Sequence, residues 1–269
     1  MDLGLKGAAV CVQGGSKGMG RAAAECFAAD GARVVILARG RDEMDATVAE
    51  LQRLGSPDAW CWPTDLLHPT SVEEAFAAIG ERWGELNTLV NAAGPGADQK
   101  TFDGISDDEW HRAFSLGALS AVRCARAALP WLRKAEWARI VNVSAHSTKR
   151  QSRTLAAYTA SKAAMTSISK NMSLALGPEE ILVNTVSPGS FASDGFKMGM
   201  RRLAAGRGLD PDNLYDCMRW IAEDFGHPAH LPRAGDPKEI GAVIAFVGSK
   251  RNSYMTGANI NVDGGSDFT

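Results

Sequence analysis

The sequence is short of the features that would carry a protein out of an ordinary reducing, aqueous setting. Its 269 residues hold five cysteines, Cys11, Cys26, Cys61, Cys124 and Cys217, which are scattered, odd in number and nowhere arranged as C-x-x-C. Neither a disulfide framework nor zinc spacing can be read from them. Free thiols used this way behave as small hydrophobes of a reducing compartment. Long apolar runs are missing too, none approaching the about 18 residues a membrane helix needs. Charge of neither sign dominates: 29 basic residues stand against 31 acidic ones, for a formal net charge of -2. No basic field points to nucleic acid or to an anionic membrane. The opening Met1-Asp2-Leu3-Gly4-Leu5-Lys6 runs straight into a strand pattern, without the basic and apolar regions of a secretory signal. These absences lead to the expectation of a cytoplasmic protein whose partner is a small molecule, with no nucleic acid and no membrane.

What is present has a regular rhythm. Apolar residues make up 45% of the chain, enough for a sizeable core. Short β-branched runs at 8–13, 34–38, 59–64, 86–91, 139–144, 182–187 and 258–262 read as strands. Helical patterns lie between them at 18–29, 41–54, 71–83, 107–132 and 155–176. Alternation of this kind, with continuous apolar strands, predicts an α/β fold: a doubly wound parallel sheet of about seven strands covered on both faces. One stretch, about 190–235, carries no strand pattern, and a connection that long inside a compact domain is usually a functional lid. The expectation is one domain over 1–269 with this lid inserted.

Two motifs carry chemistry. Gly14-Gly15-Ser16-Lys17-Gly18-Met19-Gly20 follows the first strand and opens the first helix. Glycines belong where backbone must turn tightly and approach a pyrophosphate, which then rests on the free N–H groups of the helix N-terminus. The second motif is Tyr158-Thr159-Ala160-Ser161-Lys162, early in a helix. Residues four apart share a helix face, so phenol and ammonium can act at one point. A free Tyr titrates near pH ~10, too high for easy proton transfer at neutrality, and a fixed cation beside it favours the phenolate.

Together these motifs resemble the short-chain dehydrogenase/reductase family, and the resemblance covers nearly the whole chain. Asn91-Ala92-Ala93-Gly94 is similar to the family's N-A-G segment after the fourth strand, and Asp65-Leu66 to the acidic-aliphatic pair that holds the adenine. Asn184-Thr185-Val186-Ser187-Pro188-Gly189 is like its N-x-V-x-P-G segment, whose following residues, here Phe191 and Ser193, meet the nicotinamide carboxamide. Gly257 and Val262-Asp263-Gly264-Gly265 resemble its terminal strand and turn. The resemblance implies a Rossmann fold, hydride transfer with Tyr158 as general acid/base, Lys162 on the nicotinamide ribose, and a homodimer or homotetramer paired through 107–132 and 155–176. Cofactor choice follows from charge. An NAD enzyme places an acid at the end of the second strand, where this chain has Ala38 followed by Arg39. Arg39, with Lys17 in the glycine turn, suits a 2′-phosphate, so NADP(H) is expected over NAD(H).

The chain also departs from the family. The Ser of its strand-ending I-S-S falls, in Val143-Ser144-Ala145, on Ala145. Its helix Asn, counted from Trp110, falls on Gly117. Losing a donor to the substrate oxygen typically costs about 100–1000-fold in rate. Three repairs are open: Ser144 swings in one residue early, His146 or Ser147 donates instead, or the substrate needs no hydroxyl donor. Gln13 replaces the usual Thr that supports the turn. His227 and His230 form too small a set for a metal, so none is expected. The lid carries Phe191, Phe196, Met198, Met200, Tyr215, Met218, Trp220, Ile221 and Phe225, which suits a bulky apolar substrate such as a steroid, terpenoid or acyl thioester. The leading expectation is an NADP(H)-dependent carbonyl/alcohol oxidoreductase. The alternatives are an enoyl-type reductase of a carbon–carbon double bond and a catalytically impaired nucleotide-binding member of the family.

Overall fold

The computed structural model describes residues 2–96, 100–226 and 228–266. Its strands are β1 (Ala9–Gln13), β2 (Arg33–Ala38), β3 (Ala59–Pro63), β4 (Thr88–Asn91), β5 (Ala138–Val143), β6 (Ile181–Pro188) and β7 (Asn259–Val262). They form one seven-stranded sheet in the order β3-β2-β1-β4-β5-β6-β7, and every pairing is parallel. From β1 the chain winds outward to β3, then returns to place β4 on the other side of β1. The reversal opens a crevice at the carboxyl ends of β1 and β4, where ligands bind in open α/β sheets. β1, β4, β5 and β6 are buried along their whole length, which is why they read as continuous apolar runs and not as alternating ones.

Two apolar layers cover the sheet. On one face lie α1 (Gly18–Ala29), α2 (Arg41–Leu54) and α9 (Pro237–Val247), contributing Phe27, Met44, Leu51, Ile240 and Ile244. On the other lie α3 (Pro69–Trp83), α5 (Ser120–Leu132) and the end of α6 (Ala156–Leu176), with Phe76, Ile79, Cys124, Leu132 and Leu176.

The single helix expected over 107–132 is not continuous. α4 (Asp107–Phe114) opens on a capping box of Ser106 and Glu109, gives way to a π-helical turn at Ser115–Leu119, and resumes as α5. One inserted residue widens the turn without disturbing the apolar pattern on either side, so periodicity could not show it. The sequence reading also passed over α9, although Asp236 and Glu239 form a capping box around Pro237. The lid holds α7 (Asp194–Leu203), capped by Ser193, and α8 (Leu214–Phe225), capped by Asn213. It leaves and rejoins the body at one place, a bridge between Phe191 and Gly235.

Candidate active site

The glycine turn follows β1 at the mouth of the crevice. Gly14 has φ of +78°, and a Cβ there would lie 2.6 Å from the Ala93 amide nitrogen. Gly20 packs so closely under Gly14 that a side chain would drive into the turn's carbonyl. Gln13 is explained by the same geometry: its Oε1 accepts from the Ala93 N–H at 2.9 Å, tying the end of β1 to the segment after β4. A row of amides crosses the sheet at this level. Asn91 Nδ2 donates to Asn142 Oδ1 at 2.8 Å, and Asn142 Nδ2 donates to Ser169 Oγ at 2.8 Å. Among the described residues Gln13 Nε2 and Asn91 Oδ1 are buried without a partner. Two amide groups next to the crevice therefore have hydrogen-bonding capacity left over.

Around the turn, Ser16 is half-buried and its carbonyl accepts from Thr47 Oγ1 at 3.3 Å. Met19, in the first turn of α1, packs against the core. Lys17 Nζ pairs with Glu43 Oε1 at 2.6 Å, and the Gly18 N–H donates to Asp194 Oδ2 at 2.9 Å. Arg39 is exposed and has no ion pair among the described residues. At the end of β3, Asp65 is half-buried with Oδ1 accepting from the Leu67 N–H at 3.0 Å. Leu66 is buried, and Arg123 donates to its carbonyl at 3.0 Å.

Tyr158 is half-buried in the first turn of α6, and Lys162 follows one turn on. Lys162 is buried, and its Nζ donates to the Val143 carbonyl at 2.8 Å. The same ammonium lies 2.8 Å from the place a Gly94 side chain would take, so Gly94 keeps open the space the lysine needs. Burial pushes the Lys162 ammonium down to about 8.

The structure narrows the repairs for the missing hydroxyl. Ala145 is buried at the end of β5. Ser144 is buried with its Oγ 2.7 Å from Thr166 Oγ1 and donating to the Lys162 carbonyl at 3.1 Å. Its hydroxyl is engaged with α6 in this arrangement, whereas the first of the three repairs has it swing in to serve as the catalytic Ser. Ser147 is buried and accepts from Thr159 Oγ1 at 3.3 Å. His146 is half-buried, with Nδ1 3.1 Å from the Pro188 carbonyl. Gly117 sits in the π-helical turn, where a Cβ would come within 2.6 Å of Ser161 Cβ and 3.3 Å of Pro95 Cδ. Ser161 fills the space over it.

Beyond β6, the Gly189 N–H donates to the Val262 carbonyl at 2.9 Å, and a Cβ on Gly189 would meet Asp263 Cα at 2.6 Å. Phe191 is buried with its ring against Gly235 and belongs to the core. Ser193 Oγ is occupied in accepting from the Phe196 N–H at 3.3 Å as the cap of α7. The lid's rings meet each other: Phe196 and Phe225 both pack edge-on to Trp220, at 5.1 and 5.4 Å between ring centres. Arg207 pairs with Glu223 and Asp224, and Arg201 with Asp212, so these lid cations are balanced within the lid. Of the two lid histidines, His227 lies outside the described residues. Sequence reasoning missed Glu43 and Asp194; nothing local marks either as a neighbour of the glycine turn.

A family model described as enoyl-(acyl carrier protein) reductase matches residues 14–267. The chain belongs to the short-chain dehydrogenase/reductase family. It is an oxidoreductase of that family. Its short-chain dehydrogenase/reductase relatives include an uncharacterized oxidoreductase, YvrD, of Bacillus subtilis, 29% identical over 265 residues and 98% of each chain. Another is a meso-2,3-butanediol dehydrogenase of Serratia marcescens, 30% identical over 257 residues, covering 96% of this chain and 93% of the other. Among solved structures, L-sorbose reductase of Gluconobacter frateurii in complex with NADPH and L-sorbose superimposes with a TM-score of 0.92, at 27% identity over 100% of both chains.

Proposed function

We propose that the protein interconverts a carbonyl and an alcohol on a small molecule, using NADP(H), with Tyr158 and Lys162 as its proton-handling pair. What carries this reading is the buried Lys162 ammonium one helical turn from Tyr158, in the space left by Gly94. The residues present fit the dinucleotide. A side chain at Gly14 or Gly189 would fill the cradle with clashes, and two orphaned amide atoms lie beside it. Gly14, Ser16, Lys17, Gly18, Met19 and Gly20 hold the phosphate side, and Asp65 and Leu66 the adenine. Asn91, Ala93, Gly94 and Lys162 serve the nicotinamide ribose. Pro188, Gly189 and the backbone of Phe191 and Ser193 serve the carboxamide. Arg39, exposed with no acid beside it at Ala38, takes the 2′-phosphate. The NADPH bound in L-sorbose reductase supports this choice.

Bound NADP(H) supplies the hydride. The protein's part is to place and move the proton: the Tyr158 hydroxyl gives it to the substrate oxygen in reduction and takes it in oxidation. Lys162 favours the phenolate left behind and holds the ribose, and with its pKa near 8 it is charged at neutral pH. Ala145 offers no hydroxyl; His146, next along the chain, gives its Nδ1–H to the Pro188 carbonyl and donates to a substrate oxygen only when Nε2 is protonated as well.

Phe196, Trp220 and Phe225 fill the lid's own core, and of the lid's large apolar residues Met198 and Tyr215 stay exposed, so lid composition by itself carries less of the case for a steroid, terpenoid or acyl thioester. The proposal narrows to a small carbonyl compound, in keeping with the L-sorbose and meso-2,3-butanediol named for two relatives. A second reading, reduction of a carbon–carbon double bond, is favoured by Ala145, because such a substrate makes less demand on that hydroxyl. The protein acts as a homo-oligomer through the helices at α4–α5 and α6, where Phe114, Leu119 and Leu174 are exposed; sedimentation equilibrium measures this.

Ketones, alcohols and enones are tested at the nicotinamide absorbance with native protein and Tyr158→Phe. Ketone turnover that falls at least about 100-fold in the variant is expected. Turnover unchanged by the variant overturns the role of Tyr158, and turnover of enones alone establishes the second reading.

A further inference from the structure

Lys17 and Gly18 are consecutive, and they offer the two kinds of group a phosphate seeks: an ammonium, and an N–H at the start of a helix of 12 residues. In the described structure a carboxylate of the chain itself meets each one. Glu43, from the first turn of α2, takes the Lys17 ammonium at 2.6 Å. Asp194, the first residue of lid helix α7, takes the Gly18 N–H at 2.9 Å across 176 positions of sequence. α1 has no acidic residue in its own first turn and no side-chain cap, so both anions are imported from elsewhere in the fold. Glu43 also folds back over Gly40, its carboxylate standing where a Gly40 side chain would begin. The carboxylate therefore lies between Lys17 and Gly40, the second residue past the end of β2.

We infer, resting on the cofactor reading above, that Glu43 and Asp194 occupy the cofactor's two phosphate subsites in the free protein. Glu43 holds the 2′-phosphate subsite and limits the preference for NADPH over NADH. Asp194 holds the pyrophosphate subsite and latches α7 to the glycine turn. The physical argument is exchange of like for like, since carboxylate and phosphate oxygens seek the same donors. A 2′-phosphate must take Lys17 from Glu43 and suffers repulsion from it, whereas a ribose 2′-hydroxyl can donate to the same carboxylate. The pyrophosphate is common to both cofactors, so Asp194 acts on both alike.

The test is a pair of fluorescence titrations, with NADPH and with NADH, on native protein, Glu43→Gln and Asp194→Asn. Both side chains are exposed, and Glu43→Ala repeats the first arm with the carboxylate removed. An exposed ion pair contributes little, so Glu43→Gln is expected to raise the Kd ratio of NADH to NADPH by only about threefold to fivefold. Asp194→Asn is expected to tighten both cofactors by a similar factor of about threefold, with the ratio unchanged and faster amide exchange at Gly18 and α7 without cofactor. A ratio that stays the same or falls in both Glu43 variants overturns the role of Glu43. Weaker binding of both cofactors, or an effect on one alone, overturns that of Asp194. Native protein that binds NADH as tightly as NADPH refutes the cofactor reading itself, a result distinct from either.

Discussion

Gly117 is the position where two physical arguments give opposite signs. It lies in a helical region with no need of a left-handed backbone, so helix propensity alone says that alanine should stabilise by about 1 kcal/mol. Packing says otherwise. A Cβ there would stand 2.6 Å from Ser161 Cβ, inside any real carbon–carbon contact, and 3.3 Å from Pro95 Cδ. Ser161 is fully buried in the interior of α6, and its Oγ donates to the Tyr158 carbonyl at 2.7 Å, so it has little room to yield. Overpacking of this kind typically costs about 1–3 kcal/mol, enough to outweigh propensity. Gly117→Ala should therefore lower stability by up to about 2 kcal/mol net, a fall of up to roughly 8 °C in Tm for a chain of this size. Ser161→Gly removes the obstructing atoms, so the double variant should recover most of that loss and show a coupling of about 1 kcal/mol or more. Thermal unfolding of the four proteins measures it. A Gly117→Ala protein that melts higher than the native one refutes the packing argument, and with it the reason no asparagine fits here beside Ser161.

The remaining predictions concern the site. Burial lowers Lys162 to about 8, so the folded state binds fewer protons than the unfolded state between about pH 8 and 10.5, and stability should rise with pH across that window. Below it the buried ammonium costs up to about 3 kcal/mol, so Lys162→Met should raise the urea midpoint at pH 7, lose the pH dependence and abolish turnover; a lower midpoint at pH 7 contradicts this. Above pH 8, carbonyl reduction by the native protein should fall as Lys162 loses its charge, read from initial rates between pH 6 and 10. Ala145→Ser should increase ketone reduction by about 10-fold or more if that position lacks only a hydroxyl, seen at the nicotinamide absorbance. Arg39→Ser should weaken NADPH by about 10–100-fold while NADH binding stays level in the same titration.

Several parts of this protein were legible because they depend on local sequence. β1, the glycine turn and α1 announce themselves by an apolar run, glycines at turn positions and an alanine-rich helix, and α1 and α2 begin and end where the sequence placed them. The Tyr158/Lys162 spacing is a property of one helix and survives intact. Ala145 and Gly117 were visible as departures by counting along the chain.

Other parts depended on contacts between distant elements. Ser144 looked available until Thr166 and the Lys162 carbonyl were brought against it. The lid's aromatic residues looked like a substrate pocket until α7 and α8 folded their rings together around Trp220. Glu43 and Asp194 meet neighbouring groups of the glycine turn from 26 and 176 residues away. The sequence by itself determined the order of the strands, the glycine turn and the Tyr158/Lys162 spacing, because each is written in the period and chemistry of adjacent residues. Only the tertiary structure decided which hydroxyls and carboxylates are engaged and why Gly117 carries no side chain, because a group's partners are set by the distance through space at which the folded elements hold it.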